Sequence, residues 1–131
     1  MKIKITFLFV DENILWVGVA DKGLLKYSLN NGIRKLEIKF NAAQNPYIYT
    51  AQISEDKQYI YFGTNNGIVE YSINKEHFSN LKIAKSLGSY IGVSTKDIYG
   101  NLWFTGEKAL LGILKNGEQV LLDDSKMFPS T

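Results

Sequence analysis

The chain of 131 residues carries 15 basic and 13 acidic side chains, one histidine and no cysteine. A net charge of +2 on scattered lysines offers no basic stripe for nucleic acid, and the absent cysteine removes disulfides, thiolate nucleophiles and sulfur metal ligands together. A content of 45% hydrophobic and 13% aromatic residues, with eight tyrosines, excludes a disordered chain and favours a β-rich single domain.

The start, Lys2 to Val10, has the lysines and apolar run of a signal peptide, but the run stops at Asp11 without a small-residue cleavage site. No stretch approaches the roughly 18 apolar residues of a membrane span, so no direct membrane insertion is expected. Four strands are predicted next, over Ile3 to Val10, Leu15 to Val19, Leu24 to Leu29 and Ile33 to Phe40. Lys22-Gly23 and Asn30-Asn31-Gly32 supply the turns, since Gly and Asn tolerate positive φ. Leu36, Ile38 and Phe40 alternate with charged residues, as on a half-wet strand, whereas Ile14-Leu15-Trp16-Val17 is apolar on both sides, as on a doubly covered one. Sheets packed face to face around an axis produce that gradient.

A second set of strands is predicted over Ile48 to Ser54, Gln58 to Gly63, Ile68 to Ile73 and Phe78 to Ile83. Phe78, Leu81, Ala84 and Leu87 recur at intervals of three, a spacing a short helix would also give; strand followed by loop is the reading adopted. The third set covers Tyr90 to Ser94, Asn101 to Thr105, Leu110 to Leu114 and Gln119 to Leu122, and residues 123–131 read as a connector toward a further blade.

Superposed, the sets repeat one pattern. Asp11, Trp16-Val17-Gly18, Gly23 and Tyr27 align with Asp56, Tyr61-Phe62-Gly63, Gly67 and Tyr71, and then with Asp97, Trp103-Phe104-Thr105, Ala109 and Ile113. The aromatic anchors Trp16, Tyr61 and Trp103 lie 45 and 42 residues apart, the period of four-stranded propeller blades. The expected fold is all-β: three four-stranded antiparallel blades of a β-propeller, at about 1–41, 46–84 and 88–122. Closed rings have four to eight blades. The two flanks therefore need covering, either by further blades of a longer polypeptide or by a second copy completing a six-bladed ring.

The strings Leu15-Trp16-Val17-Gly18 with Gly23-Leu24 and Tyr27, Ile60-Tyr61-Phe62-Gly63-Thr64 with Gly67-Ile68 and Tyr71, and Gly100-Asn101-Leu102-Trp103-Phe104 resemble the two-component regulator propeller repeat. The resemblance implies the extracytoplasmic, periplasmic sensor region of a membrane-anchored hybrid two-component histidine kinase, many of which detect breakdown products of complex polysaccharides. It also implies a structural motif, with Trp packed between blades and glycines shaping hairpins. Related propellers include a lyase acting on a cyclic peptide antibiotic.

The chemistry-bearing residues are few. His77, the only histidine, sits in a polar turn, and Asp123-Asp124 reads as a solvated pair. Asp11, Asp56 and Asp97 read as turn acceptors before the second strand of each set. Gly18 and Gly23 enclose four residues, but Leu24-Leu25 stand where a phosphate loop needs Lys-Ser/Thr. No catalytic residue, metal site or cofactor is therefore assigned. Ligand contacts in a propeller fall on one rim, in the connections between second and third strands and between blades. The first class offers Asp21, Lys22, Asn65, Asn66, Glu107 and Lys108, the second Gln44, Asn45, Tyr47 and Ser89. Amides and carboxylates suit sugar hydroxyls, and a tyrosine ring stacks on a pyranose, so an oligosaccharide is the expected ligand class. The alternatives are a stand-alone interaction or lectin-like module that dimerises to six blades, and a lyase-like enzyme, for which the rim offers no histidine.

Overall fold

The computed structural model describes residues 2–20, 22–36, 47–82 and 87–127. Among them are three antiparallel sheets of four strands, each a meander in which every strand pairs with its sequence neighbour. The first sheet holds β1 (Ile5–Asp11), β2 (Ile14–Val19), β3 (Gly23–Ser28) and β4 (Arg34–Leu36). The second holds β5 (Ile48–Ile53), β6 (Tyr59–Thr64), β7 (Gly67–Ser72) and β8 (His77–Asn80). The third holds β9 (Ser94–Lys96), β10 (Leu102–Thr105), β11 (Ala109–Ile113) and β12 (Gln119–Asp123). A one-turn helix, α1 (Asp124–Met127), opens the segment read as a connector, and Asp123 ends β12 while accepting the amide of Lys126 at 3.3 Å.

Three blades of a β-propeller result, packed through their faces with β1, β5 and β9 side by side along the inner edge. The second strand carries core residues in every blade and is the most covered one in the first two: Trp16, Val17, Ile60, Tyr61, Phe62, Leu102 and Phe104 are all buried. Successive residues of that strand point to opposite neighbours. Trp16 packs on Phe62 and Tyr71 of the middle blade, with ring centroids 5.8 and 5.2 Å apart. Tyr61 enters the cluster of Leu102, Phe104, Leu111 and Ile113 in the third blade. Burial pushes the Tyr61 phenol up, and the carboxylate of Glu70 adds to it. Lys26 lays its ammonium 5.1 Å from the Trp16 ring centroid, closing the outer edge of that junction.

The repeat glycines divide into two roles, which corrects the expectation that all of them shape hairpins. Gly23 and Gly67, at φ 84° and 94°, do so. Gly18 and Gly63 instead sit within β2 and β6, where a Cβ would be crowded: at Gly18 by Thr6 Oγ1 of its own blade at 2.9 Å and by Ile48 of the next at 3.3 Å, and at Gly63 by the carbonyl oxygen of Ile91 at 2.6 Å. They let adjacent blades touch.

The third blade also departs from expectation at its start. The first strand runs Ser94–Lys96, not Tyr90 to Ser94. The preceding residues are held by the middle blade instead, with the amide of Ile91 donating to the Thr64 carbonyl at 2.9 Å and its side chain fully buried. Pairing with β10 starts where the Val93 carbonyl accepts the Thr105 amide at 2.9 Å and Ser94 comes opposite Phe104. Just after β8, Lys82 and Leu87 take 3₁₀ geometry, while residues 83–86 between them lie outside the described residues, as do 37–40 of the predicted fourth strand.

Two of the three recurring aspartates act as turn acceptors. Asp56 Oδ1 accepts the Gln58 amide at 3.0 Å and the Ser54 hydroxyl at 2.6 Å, whereas Asp11 faces Lys57 Nζ at 3.6 Å. Asp97 does most: it accepts the Trp103 indole N–H at 3.0 Å and the amides of Tyr99 and Asn101 at 3.0 and 2.9 Å. Those donors, the indole foremost, lower its carboxyl from 3.8 to about 2. A depressed folded-state pKa gives stability that is complete above pH 3.8 and is lost as pH falls through about 2. Asp97→Asn is expected to flatten the acid limb of an unfolding curve in that window; an unchanged limb would show the turn contributes nothing.

Candidate functional site

Pairing of Ile48 with Thr64, and of Val69 with Asn80, puts the start of β5, the β6–β7 turn and the end of β8 at one end of the middle blade. The same rim receives Ser89 and Tyr90 from the chain entering the third blade, because Gly67 donates to the Ser89 carbonyl at 3.2 Å. Between these segments lies an open cleft of about 520 Å³, with Asn66, Asn80, Lys82 and Ser89 giving it polar edges over Ile68 and Leu81. That size and mixture suit a small polar ligand.

Of the expected contacts, the structure brings Asn66 and Ser89 to this cleft. Tyr47 and Asn65 are neighbours on the rim, but Asn65 is already engaged: its Oδ1 accepts the Tyr47 amide at 3.0 Å and its own amide donates to the Tyr47 carbonyl at 3.1 Å. Glu107 is engaged too. Its Oε1 accepts the Ser89 amide and hydroxyl and the Tyr90 amide at 3.1, 3.2 and 3.1 Å, which lowers its carboxyl, the Tyr90 bond first. It clamps the entering chain. Lys108 beside it is exposed, and Lys22 is exposed at the β2–β3 turn of the first blade. Asp21, Gln44 and Asn45 lie outside the described residues.

Sequence reasoning missed a row of rings. Tyr49, at the irregular pair between Ile48 and Thr50, stacks with Tyr47 at 6.3 Å and lies 4.7 Å from Tyr90, which is half exposed. An extra residue in β5 turns Tyr49 toward the rim. No periodic signal announces such a bulge, and Tyr90 was assigned to a strand it does not join. Asn80 and Lys82 were missed because only strand order carries the end of β8 to this rim. His77 opens β8 at the opposite end, exposed. Among the described residues no three His, Asp or Glu side chains gather to hold a metal, and no helix is long and apolar enough to cross a membrane.

Sheets of this order, packed through their faces, define three consecutive blades of an open β-propeller. No family model and no curated protein matches the chain. Among solved structures, it is similar to the extracellular domain of BT4673 from B. thetaiotaomicron, described once as a one component and once as a hybrid two component system. The first of these superposes with a TM-score of 0.66 at 23% identity over 89% of this chain and 16% of that one. It is also similar to virginiamycin B lyase from Staphylococcus aureus, with a TM-score of 0.63 at 17% identity over 97% of this chain and 42% of the lyase. The chain thus spans about a sixth of the first structure and two fifths of the second.

Proposed function

We propose that the chain is a non-enzymatic sensory segment of a β-propeller, from the extracytoplasmic, periplasmic part of a membrane-anchored sensor of the hybrid two-component type, and that its rim recognises a carbohydrate-derived ligand. The observation that carries the reading is the rim itself, where Asn66, Ser89, Asn80 and Lys82 edge one cleft and Tyr47, Tyr49 and Tyr90 line up beside it. Amide and hydroxyl groups at the cleft match sugar hydroxyls, and the half-exposed Tyr90 offers a face to a pyranose. Similarity to an extracellular sensor domain supports the same reading at the level of fold. The test is calorimetric titration of the chain with a panel of plant and host oligosaccharides. Tyr90→Ala and Asn66→Ala are each expected to weaken the best binder roughly tenfold, the size of one stacking or hydrogen-bonding contact. Lys57→Ala, at the other end of the blade, should leave it unchanged. A panel without any binder, or equal losses at both ends, would sink the reading.

The lyase likeness favours a second reading. A histidine-to-alanine variant of virginiamycin B lyase is described as catalytically inactive. The one histidine here, His77, stands away from the cleft, so an enzyme would need another acid or base at the rim. Glu107 is the carboxylate placed there, and three donors hold it in the charged form.

A further inference from the structure

The exposed large apolar side chains among the described residues all lie on the first and third blades or their connections, and the middle blade, covered on both faces, has none. On the outer face of the first blade, Leu8 and Val10 of β1 are 63% and 55% exposed beside Leu15, Leu25 and Tyr27. On the outer face of the third, Trp103 lies across Gly112, where a Cβ would come within 2.6 Å of its ring, flanked by Leu110, Val120 and Leu122. Ile98 and Tyr99, in the turn below it, are 91% and 71% exposed.

These faces correspond position by position to the two sides of the junctions already formed inside the molecule. Trp16 rests on Tyr71 across the first junction; by strand register Trp103 occupies the place of Trp16, and Tyr27 that of Tyr71. The lower edge agrees. At the second junction Lys96 pairs with Glu55 at 3.1 Å. The residue in the first blade at the register of Lys96 is Val10, and the residue in the third blade's turn at the place of Glu55 is Ile98. Both members of an ionic contact are therefore replaced by apolar ones, on opposite flanks of one chain.

We propose that the two flanks are complementary halves of one junction, and that the chain closes with a second copy into a six-bladed ring, the third blade of each copy docking on the first blade of the other. The contact is heterologous and closes after two copies, as three blades make half a turn of a six-bladed ring. One position is imperfect: Thr105 stands where Gly18 and Gly63 admit the next blade. The proposal is independent of the sensor reading, since a ring forms whether or not the rim binds sugar.

Sedimentation velocity of the chain is expected to show a dimer. Val10→Lys and Ile98→Glu, both at exposed sites and therefore compatible with folding, should each weaken association at least tenfold. Combined in one chain they should restore it, by recreating across the new junction the ion pair that Lys96 and Glu55 make inside. Thr105→Gly should tighten it. A folded chain that stays monomeric at its highest soluble concentration would assign the flanks to further blades of a longer polypeptide and overturn the proposal. Open-ended oligomers would overturn it too, as would a double variant no better than its parents.

Discussion

Trp16→Ala is expected to lower the unfolding free energy by about 3–5 kcal/mol, the loss typical of a buried large aromatic. The indole is only 2% exposed and touches Phe62 and Tyr71 across the blade junction, so its removal opens a void bounded by rigid rings on the far side. Trp103→Ala, at the same place in the repeat, should cost less when the chain is diluted to a monomer, because that ring covers Gly112 and is only partly buried. Guanidinium unfolding of both variants is the measurement. Equal losses would mean that the repeat aromatic acts within its own blade, and that junctions are not where the stability resides.

Gly63→Ala should cost about 3 kcal/mol, near the upper end for overpacking a close-packed site. The added methyl would stand 2.6 Å from the Ile91 carbonyl oxygen and 2.7 Å from Thr50 Cγ2, and the backbone atom cannot swing aside. Thermal unfolding should fall accordingly, and the amide of Ile91 should lose hydrogen-exchange protection as its bond to Thr64 loosens. Gly32→Ala is the control for packing: nothing lies within 4 Å, so its cost, roughly 1–2 kcal/mol, comes from backbone strain at φ +104° alone. A Gly63 variant as mild as that control would refute the close-approach role.

The contrast between these glycines shows where sequence reading stops. Gly18, Gly23, Gly63 and Gly67 recur alike in the chain, yet only Gly23 and Gly67 among them need a positive φ. The other two are small because distant chain arrives there, Ile91 at Gly63, and Ile48 together with Thr6 and Phe7 at Gly18, information held in residues up to some 30 positions away. Likewise, Glu107 reads as a free rim carboxylate but is consumed by three donors from residues 89–90. Asn65 is consumed by Tyr47.

What the residues alone determined is the repeating unit: four short strands, an aromatic on the second, turn glycines, and a period that only a blade explains. Local hydrogen bonding and two-residue alternation write that unit directly into the chain, which is why the strands among the described residues fall within a few residues of their predicted spans, the exception being the displaced β9; the predicted end of β4 lies outside the described residues. Only the tertiary structure decided which face of each strand meets which neighbour, how the entry to the third blade is captured by the second, and that Tyr90, Asn80 and Lys82 share a rim with Asn66 and Ser89. Those facts depend on contacts between residues far apart in sequence, where packing and not pattern selects the partner.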